Sequence, residues 1–313
     1  MPRARAAGEG FRVACDERVI AVQALFGQLL IGLINGAFYA MLSLGLAIIF
    51  GLLNIINFTH GAQYMMGAFC AWFLLQYVHI GDWHPGYWSS LVIAPVAVGA
   101  IGVVIERSML RRLYNLDHLY SLLLTFGLAL VIQGLFRNEF GSSGLPYQIP
   151  SLLTGAVDLG FMYLPIYRAW VIVSSLVICV ATWYVVERTK LGSVLRAATE
   201  NPTLVQAFGV NVPLMITLTF GFGVGLAALA GVMAAPIYQV NPLMGADLII
   251  VVFAVVVIGG MGSIMGAILT GFGLGVVEGL TKYFYAEAST TVIFVIMVIV
   301  LMVKPAGLFG REP

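Results

Sequence analysis

The chain has 313 residues, 61% of them hydrophobic and 9% charged, with a net charge of +1. Ordinary soluble domains carry about 25% charged residues, so a fold dissolved in water could not cover this much apolar surface. The near-zero charge leaves no electrostatic footprint for a nucleic-acid partner, and Cys15, Cys70 and Cys179 have neither metal-ligand nor redox spacing.

Stretches poor in charge, residues 19 to 53, 169 to 186 and 243 to 277, match or pass the roughly 20 residues that carry a helix across a hydrocarbon core of about 30 Å. In lipid every backbone polar group must be paired inside the protein, which leaves helix bundles or closed barrels. The runs are continuous and lack the alternation of barrel strands. An all-α, polytopic transmembrane helix bundle of about eight to ten spans is expected.

Arg3, Arg5, Arg12 and Arg18 open the chain like a secretory signal, but the apolar stretch that follows is too long for a signal core and has no clear A-x-A site. It reads as a retained first helix behind a cytoplasmic tail, residues 1 to 18, with residues 19 to 310 forming one transmembrane domain. Spans are predicted near 19 to 38, 40 to 55, 59 to 79, 89 to 106, 118 to 136, 168 to 187 and 213 to 236, with shorter ones at 248 to 259, 264 to 281 and 289 to 304.

Basic residues gather in the N-terminal tail, at Arg107, Arg111 and Arg112, at Arg188, Lys190 and Arg196, and at Lys304 and Arg311, whereas residues 79 to 88, 138 to 167 and 239 to 247 hold no Lys or Arg. The bias of basic loops toward the cytoplasm makes the first set internal and the second external. Ten crossings then place both termini in the cytoplasm of an inner-membrane protein; a re-entrant pair at 248 to 259 and 264 to 281 reduces the count to eight or nine.

Two places interrupt the apolar pattern, Asn54 to Gly61 and Gly259-Gly260-Met261-Gly262-Ser263. Irregular backbone at membrane depth is tolerated only where protein or a cavity surrounds it, and one such element in each half hints at an internal repeat. Glycines three or four apart, as in Gly259, Gly262 and Gly266 or Gly271 and Gly275, are expected to let helix backbones approach closely. Asn35, Asn54, Asn57, Thr59, His60 and Gln63 place polar groups in or beside spans, where each must be paired or wetted. Two readings stand for them: support of the broken element, or a path lined by amides that meet a zwitterion. Glu278 and Lys282, four apart, are expected to pair on one helix face, and Glu106 reads as a helix end at the surface.

The longest polar segment on the internal side runs from 187 to 212. Leu191, Val194, Leu195 and Ala198 recur at helical spacing. Asn201 before Pro202 is a helix-start signal, Leu204, Val205 and Phe208 give a second small apolar face, and Gly209 suits a helix end. The segment reads as helix, corner, helix, the shape a separate motor protein needs if it is to push on a bundle.

The run Gly192-Ser193-Val194-Leu195-Arg196-Ala197-Ala198-Thr199-Glu200-Asn201-Pro202, then Ala207-Phe208-Gly209-Val210-Asn211, resembles the ATPase-contacting loop of bacterial ABC permeases for branched-chain amino acids, of the LivH type. Asn35 to Ala40 leading to Asn54 to Gly61, and Val257 to Ser263 with Gly266-Ala267, carry the resemblance across residues 22 to 310; Thr59 stands where a small residue is expected. The resemblance implies a second related permease, two cytoplasmic ATPases holding ATP and Mg, a periplasmic binding protein that delivers a small amino acid, and alternating access. It implies no cofactor on this chain, which also lacks a G-x-x-x-x-G-K-[ST] loop. Urea, short amides and aromatic acids are carried by permeases of similar shape. An ion-coupled transporter would need carboxylates at depth, and none is evident from the sequence. An intramembrane enzyme would need a motif such as G-x-S-x-G or H-E-x-x-H, and neither occurs.

Overall fold

The computed structural model describes residues 3–53, 55, 57–78, 86–114, 116–160 and 162–310, with residues 3–20, 52 and 53 described by their backbone alone. Asn54, one of the candidate polar residues, lies outside them. The helices are α1 (Arg3–Leu53), α2 (Thr59–Tyr77), α3 (Tyr87–Ser108), α4 (His118–Phe140), α5 (Ile166–Arg188), α6 (Lys190–Glu200), α7 (Pro202–Ala207), α8 (Val212–Tyr238), α9 (Ala246–Gly259), α10 (Ile264–Phe284) and α11 (Thr291–Val303). Among the described residues six of these contain stretches long and apolar enough to cross a membrane: Ala21–Gly51, Tyr87–Arg112, His118–Phe140, Ile166–Arg188, Val212–Tyr238 and Ile264–Phe284. The protein is an all-α multi-pass membrane bundle.

Between α4 and α5 lies an element the sequence reading did not anticipate. Strands β1 (Ala156–Asp158) and β2 (Tyr163–Pro165) pair antiparallel, with Val157 opposite Leu164. This hairpin marks one end of the bundle, and the α6–α7 elbow marks the other.

The first two expected spans, 19 to 38 and 40 to 55, are one continuous helix, α1. Nothing at Asn35-Gly36 turns the chain, because the polar side chain finds partners sideways: Asn35 Nδ2 donates to Glu278 Oε1 at 3.2 Å and Asn35 Oδ1 accepts from Tyr238 Oη at 2.7 Å. The glycines serve packing. α1 and α10 run antiparallel along a seam in which a Cβ on Gly275 would stand 2.3 Å from the Gly36 Cα, and one on Gly32 2.4 Å from the Gly275 carbonyl. Contact this close supplies the van der Waals attraction that lipid cannot replace.

That seam also orients the chain. Gly27 lies nearest Met162 of the hairpin, while Gly51 meets Gly262, which shares a small cavity with Glu187 and Arg196 of the elbow. Past α11, Leu308 and Phe309 donate their backbone N–H groups to the Ile258 and Gly259 carbonyls at 2.8 and 3.1 Å, so the C-terminal segment also sits at the elbow end. The expectation of both termini on one side is therefore corrected. Fusing two expected spans into α1 removes one crossing, and α1 enters the bundle at the hairpin end.

The two interruptions differ in depth. Gly259 to Ser263 lies at the elbow end, where Gly260 and Gly262 adopt φ of +99° and +83° and the Ser263 hydroxyl caps α10 by accepting from Gly266 N at 3.1 Å. The α1–α2 break reaches deeper, for His60 stands beside Gly45, Gly223 and the Leu42 carbonyl.

Candidate functional site

The elbow is built by local sequence chemistry. α5 ends at Arg188, and α6 folds back so tightly that a Cβ on Gly192 would lie 1.7 Å from the Val186 carbonyl oxygen; no other residue fits there. Arg196 fastens the fold, donating from Nη1 to the Val186 carbonyl at 2.7 Å and to Glu187 Oε2 at 3.2 Å. Both charged side chains are 41% exposed, so the ion pair contributes about 0–1 kcal/mol and mainly sets the angle between α5 and α6. At the corner Asn201 Oδ1 accepts from Leu204 N at 3.0 Å, and Pro202 opens α7. α7 ends before Gly209, whose φ of +83° leads into Asn211, the N-cap of α8, which accepts from Leu214 N at 3.1 Å.

The expected apolar faces divide unequally. Ala198, Val205 and Val212 form a small core with Val194, Val210 and Ile216. Leu195 is half-buried against α1, whereas Leu191 is exposed. Leu204 and Phe208, 54% and 80% exposed, stand outward beside exposed Ala197, Glu200, Asn201 and Pro202. The elbow thus presents an apolar tip with a polar margin.

At the foot of α8, Glu106 is buried, not surface-exposed as the sequence suggested. It accepts from Thr217 Oγ1 at 2.7 Å and from Tyr114 Oη at 2.6 Å, joining α3 to α8. Burial, followed by this bond, raises the Tyr114 pKa above the ordinary tyrosine value.

The candidates around the first break form a closed ring. Asn57 Nδ2 donates to Gln63 Oε1 and Gln63 Nε2 to Thr59 Oγ1, both at 3.2 Å, and Thr59 donates from N and Oγ1 back to Asn57 Oδ1. His60 Nε2 is 3.0 Å from the Leu42 carbonyl, and Phe58 N donates to Thr125 Oγ1 at 3.3 Å. Every member of the ring is buried and its polar groups are spent on one another, so the ring holds the start of α2 in place. His60 Nδ1, beside the ring, is buried without a hydrogen-bond partner among the described residues.

Asn35 belongs to a different site. It lines a cavity of about 340 Å³ with Phe38, Tyr39, Tyr64, Tyr238, Asn241, Met244, Asp247 and Leu248. Behind this wall lies Glu278, which accepts from Asn35 Nδ2 and from Tyr39 Oη, the latter at 2.7 Å. The expected Glu278–Lys282 pair is not formed; the carboxylate turns into the bundle because α1 offers it two donors. Glu278 is thereby a carboxylate buried within the helix bundle. Sequence reasoning missed Tyr39, Tyr64, Tyr238 and Asp247, and the aromatic spacing in Phe38-Tyr39 was the one signal for them.

A multi-pass bundle with an outward-facing elbow between two of its spans and a polar cavity among its helices is a permease subunit. The family model described as "Branched-chain amino acid transport system / permease component" matches residues 28–302, and the chain belongs to that family. It is 30% identical over 299 residues to the high-affinity branched-chain amino acid transport system permease protein LivH of Escherichia coli K12, covering 91% of this chain and 95% of that protein. It is 28% identical to BraD of Pseudomonas aeruginosa, with the same coverage. Similarity extends to LivM of E. coli K12, at 27% identity over 86% of this chain and 67% of that protein.

Proposed function

We propose that this chain is the membrane-spanning subunit of an ATP-driven importer for branched-chain amino acids (leucine, isoleucine and valine) in a bacterial inner membrane, and that its elbow, residues 187 to 212, is where partner ATPases push. The observation that carries the reading is the α6–α7 geometry: Arg196 and Gly192 lock α6 to α5, while Leu204 and Phe208 are left outward for another polypeptide. The elbow end is then cytoplasmic, and the hairpin end faces the periplasmic binding protein. ATP and Mg belong to the partners. Closure of two ATPases displaces the elbow, and the bundle opens to the opposite side. The names of LivH and BraD support the substrate class, and likeness to both LivH and LivM supports pairing with a second, related permease.

The test is uptake of labelled L-leucine into vesicles carrying the chain. Uptake is expected only with ATP, the partner permease, the ATPases and the binding protein together. Leucine entry through this chain alone under an ion gradient refutes the proposal, as does labelling that finds the elbow on the external face.

A further inference from the structure

The cavity beside Asn35 has a definite hydrogen-bond polarity. Tyr238 Oη donates to Asn35 Oδ1, Asn35 Nδ2 donates to Glu278 Oε1, and Tyr39 Oη donates to Glu278 Oε2. The hydrogens in this chain run inward to one buried carboxylate. What remains on Tyr238 and Tyr39 is acceptor lone pairs, since a phenol has one O–H; Asn35 keeps one lone pair on Oδ1 and one N–H on Nδ2.

Charge points the same way. The cavity lining contains Asp247 and no Lys, Arg or His. Asp247 is exposed, and among the described residues its carboxylate has neither a hydrogen bond nor an ion pair. An unpartnered ionisable side chain inside a membrane bundle marks a wetted, functional face. Four aromatic rings, Phe38, Tyr39, Tyr64 and Tyr238, add negative π-faces that attract ammonium groups. The Tyr64 hydroxyl is buried without a partner among the described residues, a polar group the bundle itself leaves unused. Met244 and Leu248 complete the lining with apolar surface, and the volume of about 340 Å³ suits a small molecule.

We infer that this cavity is a recognition site for a primary ammonium group bearing a compact alkyl chain, with Asp247 as its charge partner and Glu278 as the positioning residue that turns the surrounding donors away. Building on the proposed transport function, the inference assigns the amino end of the substrate to this chain; its carboxylate must be met elsewhere. The probes are L-leucine, 3-methylbutylamine, which lacks the carboxylate, and 4-methylpentanoate, which lacks the amine. Binding to the full chain in lipid nanodiscs is read by saturation-transfer NMR.

Leucine and the amine are expected to bind, and the acid not. Asp247→Asn should weaken both by about tenfold or more, the scale of a lost charge-assisted contact, while Asp247→Glu retains them. Because Asp247 is exposed and unbonded, the variant should match wild type in thermal stability. Glu278→Gln, which supplies a donor in place of an acceptor, should narrow the preference for amine over acid. Equal binding of acid and amine overturns the inference, as does unchanged amine binding in Asp247→Asn. Asp247-dependent amine binding in a chain whose assembly carries no leucine sustains this inference and sinks the transport reading. ATP-driven leucine uptake by an assembly whose chain ignores the amine does the reverse.

Discussion

The α1–α10 seam makes a sharp quantitative claim. In Gly275→Ala the new methyl would stand 2.3 Å from the Gly36 Cα and 2.4 Å from both the Gly36 nitrogen and the Gly32 carbonyl oxygen, where ordinary contact begins at 3.4 Å. All three obstacles are backbone, so the helices must separate by 3.4 − 2.3 = 1.1 Å. A shift of that size along the contact direction would stretch the Tyr39–Glu278 bond from 2.7 Å to beyond hydrogen-bond range. Overpacking costs about 1–3 kcal/mol, and each interhelical hydrogen bond in a membrane contributes about 0.6–1.7 kcal/mol. The sum, about 2–5 kcal/mol, corresponds to a fall in melting temperature on the order of 10 °C. The assay is thermal unfolding of the purified chain in detergent, with Gly273→Ala as the matched control, since nothing lies within 4 Å of a Cβ there. Propensity alone favours alanine in both variants by about 1 kcal/mol. Equal melting of the two variants would refute the seam as the source of the stability.

Gly209→Val forces a β-branched residue into a φ of +83°, at a cost of about 1–2 kcal/mol; membrane yield should hold while ATP-driven uptake falls. Leu204→Ser with Phe208→Ser removes the outward tip of the elbow, and co-purification of the ATPases should drop with no change in the melting temperature of the chain. Glu106→Ala strips Tyr114 of its acceptor and Thr217 of one of two, so it should destabilise the chain by about 1–3 kcal/mol, whereas Glu106→Gln retains most of that stability. Thermal unfolding of the two variants side by side checks it.

What the sequence made legible was local. Asn201 before Pro202 announced a cap, and the observed bond to Leu204 N is the physical content of that signal. Gly209 announced a left-handed residue for the same reason. Side-chain direction across the bundle was not legible. Glu278 and Lys282 sit four apart on one helix, yet Glu278 bonds to residues more than 230 positions away, and no helical periodicity contains that distance. Likewise the expected break between spans 19 to 38 and 40 to 55 does not exist, because a long apolar run reads the same whether it turns back or continues as one helix docked against another. Only the partner, α10, decides between them. The cavity was hidden on the same ground, being assembled from α1, α2, α8, α9 and the segment between α8 and α9, each contributing one to three side chains that are unremarkable in their own segments.

The elbow and the cavity are joined by α8, and the fastening of its two ends indicates how a push could travel. At its foot α8 is held to α3 by the Glu106–Thr217 bond; at its far end Tyr238 is bonded to Asn35 on α1. α6, by contrast, is fastened to α5 through Arg196 and meets α1 through Leu195, beside an apolar cavity of about 280 Å³ lined by Ile48, Leu191, Leu195, Met215 and Phe222. Force on the elbow tip is therefore passed first to α5, to which α6 is tied. α5 exposes Val173, Leu176, Val177, Val180 and Tyr184 on one side, while Tyr167, Val171, Ser175 and Cys179 are buried on the other, and at the hairpin end Tyr167 Oη donates to the Met233 carbonyl at 2.8 Å and Trp170 Nε1 to Tyr87 Oη at 3.1 Å. The glycine seam of α1 with α10 resists separation or sliding, because its contacts are backbone against backbone. The α1–α10 spine is thus the fixed part, and α5, tied to α3 and α8 at its hairpin end, is the element to which the elbow is fastened; cross-linking α5 to α1 near Ile48 should halt ATP-driven uptake while leaving ammonium binding beside Asn35 intact.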